Sequence, residues 1–195
     1  MAYKVLNNIG LIDTSTNALT SLKTGLLVIV VNKDTNKDSA FKDLNKVSKS
    51  YISKTITSHL KDSGSSILLP KIDGIEAENI MLVKGLDANA PMHKWISSYQ
   101  AIAKKANSIN AKDLSIMSGA ISPSGKDELW LIEMIAKTVE SNVYIFSETK
   151  NKTAKKPSVK KLTIVTTGLK GADLTKAKAA AKKGYAIGEG VNTAK

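Results

Sequence analysis

A chain of 195 residues is long enough for one domain with a sizeable core, and the absence of cysteine excludes disulfides, cysteine-based zinc sites and cysteine nucleophiles. The formal net charge is +12, every one of the 29 basic residues is Lys, and the excess is uneven: residues 149–195 hold 12 Lys against only Asp173 and Glu189, while residues 1–148 are nearly neutral. The longest apolar run, Leu26 to Val31, is far too short to cross a bilayer, and the first residues lack the apolar stretch of a secretory signal, so a soluble, cytoplasmic protein with no membrane partner is expected.

Leu26-Leu27-Val28-Ile29-Val30-Val31 is continuous and β-rich, which predicts a strand buried on both faces. Ala40, Phe41, Leu44, Val47, Tyr51, Ile52, Ile56 and Leu60 then recur at helical spacing, with Lys42, Lys46, Lys49 and Lys54 on the other side. They predict one long amphipathic helix, ended by Ser63-Gly64. Ile67–Leu69 and Ile80–Val83 read as two strands joined around Asp73-Gly74. Asn89-Ala90-Pro91 reads as a helix start, with Asn89 as the capping side chain and the proline in the first turn. Met92, Trp95, Ile96, Tyr99, Ile102, Ala103, Ala106 and Ile109 hold the helical period that follows. Leu114–Met117 is the next strand, and a helix after Pro123 carries Leu129, Ile132, Ile135, Val139, Val143 and Phe146 on one face. Residues 147–159 read as a polar, lysine-rich loop, Leu162–Val165 as the last strand, and an Ala- and Lys-rich helix runs from about Ala172 to the end without a stop signal. Strands alternating with helices predict an α/β fold with a largely parallel sheet.

Few residues here carry chemistry. His59 and His93 fall in different predicted elements, outside any His-Glu-x-x-His pairing, and both read as surface residues rather than ligands. Asp127 and Glu128 suit a helix N-terminus. The segment Gly119-Ala120-Ile121-Ser122-Pro123-Ser124-Gly125-Lys126 follows a strand and opens a helix, the context of a phosphate loop, and Gly119, Ser122, Ser124, Gly125 and Lys126 are its candidate contacts. It has one residue too many between its glycines and lacks the hydroxyl after Lys that would hold magnesium, so a plain connecting loop competes with that reading. Lys150, Lys152, Lys155, Lys156, Lys160 and Lys161 form a basic strip that attracts polyanions. Without the Arg fork that reads guanine, a solvated surface competes with a nucleic-acid site. No serine sits in a Gly-x-Ser-x-Gly elbow. The chain therefore reads as non-catalytic.

Four segments, in order, resemble the N-terminal domain of the leucyl (cytosol) aminopeptidases. Lys23-Thr24-Gly25-Leu26-Leu27-Val28-Ile29-Val30 resembles a Lys-Thr-x-x-Leu-Val-Val strand. Leu82-Val83-Lys84-Gly85-Leu86 is similar to a Leu-Val-Gly-Leu strand end, with Lys84 in place of a Gly. Tyr144-Ile145-Phe146, with Lys150 shortly after, matches Tyr-x-Phe followed by Lys. Glu189-Gly190-Val191-Asn192-Thr193-Ala194 matches the end of that family's linking helix, with Lys195 where Arg is usual.

The resemblance implies a three-layer α/β/α domain, similar to macrodomains, with a mixed, largely parallel sheet over residues 1–170. Residues 171–195 would be a linking helix to a catalytic domain whose hallmark residues this chain lacks. It also implies a parent that removes N-terminal residues from peptides with two divalent metals, zinc or manganese, held in that catalytic domain. Its partners would be its own catalytic domain and further copies in a hexamer, which the N-terminal domain helps to brace while restricting substrate access. An ADP-ribose- or nucleotide-binding module, or a DNA-binding module, is the alternative.

Overall fold

The computed structural model describes residues 8–13, 19–62, 64–117, 121–144, 157–166, 169 and 171–194. Strands β1 (Asn8–Asp13), β2 (Leu26–Val31), β3 (Ser66–Pro70), β4 (Asn79–Lys84), β5 (Asp113–Met117) and β6 (Lys161–Thr166) form a six-stranded sheet in the order β1-β6-β5-β2-β4-β3. All pairs are parallel except β3 with β4, the hairpin around Gly74 (φ +81°). Strand β2 lies at the centre with all six residues buried. Its side chains alternate between two cores, as the period of a strand requires: Leu26 and Val28 enter one, and Leu27, Ile29 and Val31 the other.

Helices α1 (Ser39–Val47) and α2 (Tyr51–His59) cover one face, contributing Phe41, Leu44 and Ile52 to the core there. Helices α3 (Met92–Ser108), α4 (Glu128–Val143) and α5 (Gly171–Thr193) cover the other, through Trp95, Tyr99, Ile132, Ile135, Val139, Ala177 and Ala181. The domain is a three-layer α/β/α structure with a mixed, mostly parallel sheet.

Three features depart from the sequence reading. Strand β1 was not anticipated. Its six residues mix Asn8, Gly10 and Asp13 with three apolar side chains, and it pairs in parallel with β6, whose residues lie about 150 positions later, so no local pattern marks it.

The single helix expected over 40–60 is two. Lys49 and Ser50 are consecutive left-handed residues (φ 50° and 62°), and the Ser50 amide turns back to the Asn45 carbonyl (2.8 Å). That kink shifts the phase of the apolar stripe. Ile52 and Leu60 stay buried, but Val47 and Tyr51 are 38% and 50% exposed. Two left-handed residues with side chains are costly and persist because Asn45 braces them, its Oδ1 accepting the Ser53 amide at 3.1 Å.

Pro91 stands at the N-cap of α3 and provides no side-chain cap. Asn89 instead belongs to a turn in which its amide donates to Asp87 Oδ1 (2.9 Å). Of the other boundaries, Ser63, at the expected end of the first helix, and Phe146, expected on the α4 face, lie outside the described residues.

Candidate functional site

The topology sets a switch point at the carboxyl end of β2. From the carboxyl end of β2 the chain goes to α1 on one face, and from that of neighbouring β5 it goes to α4 on the other. At such a switch point the two loops diverge and leave room for a ligand. The loop after β2 is closed on itself: Asn32 accepts from the Asp34 amide (2.9 Å) and from Thr35 Oγ1 (3.2 Å), and Lys37 pairs with Asp34 at 2.6 Å. Gly85, after β4, lies against β2. Its amide donates to Val31 O (2.8 Å), and a Cβ there would stand 3.0 Å from the same oxygen.

The loop after β5 carries the candidate phosphate contacts. Gly119 lies outside the described residues. Ser122 is half-buried, and Pro123 to Lys126 form a tight turn with Gly125 at φ +73°, a conformation that glycine adopts readily. The Ser124 amide donates to Ala88 O (2.7 Å) and the Lys126 amide to Pro123 O (2.9 Å). The Lys126 ammonium lies 5.5 Å from the centroid of the Trp130 ring. Asp127 caps α4, as its position suggested, by accepting the Trp130 amide (2.8 Å). Beside it, burial raises the Glu128 carboxyl above the ordinary carboxylate range. Two amides of this loop are thus committed to protein carbonyls, and the helix N-terminus already has its own acids.

Two lysines of the basic strip lie elsewhere. Lys160 and Lys161 are exposed where β6 begins, at the amino end of the sheet, opposite the switch point. The Lys160 amide donates to Lys112 O (2.8 Å), which brings exposed Lys112 beside them. Lys150, Lys152, Lys155 and Lys156 lie outside the described residues. His59 and His93 are both exposed, on α2 and α3. Among the described residues no group of three or more His, Asp or Glu is placed to hold a metal ion.

The sequence reading missed the seam between α4 and α5. Ala177, Ala181, Gly184, Gly188 and Asn192 form one stripe along α5, all buried against its neighbours. A Cβ at Gly184 would stand 2.1 Å from Glu133 O, and one at Gly188 would stand 2.8 Å from Lys137 O. At the end of the seam Asn192 Nδ2 donates to the backbone oxygen (3.1 Å) and Oε1 (3.2 Å) of Glu140, a carboxylate with no exposed surface. Tyr185, on the same helix, has its hydroxyl pKa raised by burial first and then by the charges of Glu140 and Glu189. The signal was present as the four-residue spacing of Gly184, Gly188 and Asn192.

The segments behind the family resemblance have structural roles here. Thr24 Oγ1 lies 3.2 Å from Asp113 O and accepts from Ser115 Oγ (3.1 Å), tying the start of β2 to β5. Gly85 permits the close approach of β4 to β2, and Asn192 locks α5 to α4. Of the third and fourth segments, Ile145, Phe146, Lys150 and Lys195 lie outside the described residues.

The architecture is that of the macrodomain-like α/β/α proteins. The structure is similar to a Trypanosoma brucei macrodomain solved in complex with ADP-ribose (TM-score 0.63, 11% identity, 92% of this chain and 69% of that one). It is also similar to the macro domain of ganglioside induced differentiation associated protein 2 (TM-score 0.65, 12% identity, 92% and 85%). At these identities the likeness shows the fold alone. No protein family model matches the chain. In sequence it is 28% identical over 152 residues to a probable cytosol aminopeptidase of Pseudomonas fluorescens, covering 75% of this chain and 30% of that protein. In structure it is similar to a tomato leucine aminopeptidase (TM-score 0.66, 21% identity, 92% and 36%). The chain resembles the N-terminal domain of the leucyl (cytosol) aminopeptidases in both sequence and fold, and spans about a third of the length of those relatives.

Proposed function

We propose that this chain is the non-catalytic N-terminal domain of a metal-dependent leucyl (cytosol) aminopeptidase, an enzyme that removes N-terminal amino acids from peptides. The observation that carries this reading is the match to the Pseudomonas cytosol aminopeptidase over three quarters of the chain. The close seating of α5 supports it, because a helix held against α4 from Gly184 to Asn192 can pass a fixed orientation to whatever follows it. On this reading residues 1–170 are the macrodomain-like domain and 171–195 the linking helix. The two divalent ions, zinc or manganese, belong to the catalytic domain, and this domain braces a cytoplasmic hexamer and restricts substrate access. The test is the reading frame beyond Lys195. A two-metal peptidase domain in frame is the expected result, and its absence from the gene overturns the reading.

Peptide hydrolysis needs a polarising metal or an equivalent base and oxyanion site. The purified chain is therefore expected to leave leucine p-nitroanilide at background rates with added manganese or zinc. Turnover that a chelator abolishes would contradict the non-catalytic assignment.

A second reading, nucleic-acid binding, is favoured by the exposed group of Lys112, Lys160 and Lys161 at the amino end of the sheet. Because there is no Arg, such binding is expected to be indifferent to base sequence. Counterion release would give a log–log salt slope near −4 to −5 if about five phosphates are engaged. Replacing Lys160 and Lys161 by Gln should then flatten the slope by roughly 2. Binding that is sequence-selective and persists at physiological salt would promote this reading above the first. The nucleotide or ADP-ribose alternative rests on fold likeness and the switch point, where the Ser124 and Lys126 amides are already committed.

A further inference from the structure

We propose that the outer edge of β1, together with Lys178 and Lys182 of α5, is a docking edge for an extended acidic peptide segment of a partner protein, which adds to the sheet as a further strand. β1 stands at one end of the strand order and pairs only with β6 among the described residues. A parallel strand bonded on one side leaves alternate N–H and C=O groups pointing outward, and these make a template for another chain.

Beside this edge is a groove of about 270 Å³ between β1 and α5, lined by Ile9, Gly10, Leu11, Lys178, Ala181 and Lys182. Its floor is apolar: Ile9 and Leu11 are only partly buried and pack against the same core as α5. Its rim is cationic. Lys178 and Lys182 are four apart on α5, so both ammoniums lie on one side of the helix, and both are exposed. The acids of α5 do not neutralise them: Asp173 pairs with Lys176 at 3.4 Å, and Glu189 lies about two turns beyond Lys182. Successive side chains of a strand laid along β1 would alternate between the two faces of the sheet. Those on the α5 face would meet the apolar floor and the two ammoniums. Alternating apolar and acidic residues fit that pattern, and main-chain bonds to β1 would hold the register.

Lysines beside an edge strand can also serve only to keep it from pairing. A fluorescein-labelled decapeptide alternating Glu and Val, added to the full chain, separates the two roles. The expected result is saturable binding that slows amide hydrogen exchange at residues 9–11. Replacing Lys178 and Lys182 by Glu should weaken it by roughly tenfold or more, since like charge would then face the peptide. Replacing Lys42 and Lys46 by Glu, on α1 across the sheet, should change it little. The same peptide N-methylated at every residue, and so without donors for strand pairing on either edge, should not bind. Equal binding by the methylated peptide would reduce the effect to charge attraction and overturn the proposal. So would unchanged exchange at residues 9–11 in the parent protein, a measurement that needs no variant to fold.

Discussion

Gly184→Ala is expected to destabilise the domain by about 2–3 kcal/mol, although alanine is the better helix former by about 1 kcal/mol. The added Cβ would lie 2.1 Å from the carbonyl oxygen of Glu133, 2.8 Å from its carbonyl carbon and 3.0 Å from its Cα. All three are backbone atoms, so no side-chain rotation relieves the clash, and α5 must lift from α4. Lifting it opens the contacts of Ala177, Ala181 and Gly188 along the same stripe. For a domain of this size the loss corresponds to a fall in melting temperature of roughly 5–10 °C. Gly190 provides the control on the same helix. Nothing lies within 4 Å of a Cβ built there, so Gly190→Ala should stabilise by about 0.5–1 kcal/mol. Thermal or urea unfolding of the pair decides the matter. If both variants gain stability, α5 is not seated on α4 as described.

Asn192→Ala is expected to cost about 2–4 kcal/mol, because it removes a donor from a fully buried carboxylate. The two bonds from Nδ2 to Glu140 orient the amide, while Asn192 Oδ1 has no hydrogen-bond partner among the described residues. The interaction therefore depends on the donor side alone. Asn192→Asp keeps the shape and replaces that donor with an acceptor beside Glu140. Two carboxyl groups so close raise the pKa of at least one in the folded state. A group whose folded pKa is raised binds its proton more tightly when folded. The Asp variant should thus lie closest to the parent below about pH 4, the unfolded carboxyl range, and fall further behind as pH rises through the folded value. Unfolding midpoints of parent and variant between acidic and neutral pH check this. An offset that does not change with pH would mean that the two groups are not in contact.

The parts of the fold legible in the sequence are those whose signal is local. Six consecutive apolar residues over Leu26–Val31 mark β2 as the central strand, since only burial on both faces tolerates such a run. The regular apolar spacing over Met92–Ile109 marks α3, and Asp73-Gly74 marks the β3–β4 turn. Asp127 is recognisable as a cap because capping needs only the next three residues. The kink after α1 was not legible, because Val47, Tyr51 and Ile52 fit one helical period as well as two, and the break lies in the left-handed pair Lys49 and Ser50, braced by Asn45 reaching Ser53. The candidate phosphate loop had the right context by position. Which amides it could offer depended on Ala88, which is distant in sequence.

Composition alone excluded cysteine chemistry and disulfides, placed the positive charge in the last quarter of the chain, and together with the alternating pattern set the α/β class. Four short segments in order were enough to suggest the family. The tertiary structure decided that the glycines of α5 face the backbone of α4, and that Asn192 meets Glu140 fifty-two residues away. It also decided that β1 forms one edge of the sheet, and that Lys160 and Lys161 lie at the opposite end of the strands from the loop of Ser122 to Lys126. Hydrophobic periodicity records which side of an element is buried, but not what it is buried against. That choice is made by packing between residues far apart in the chain, where a single Cβ or one amide donor decides whether two helices can meet.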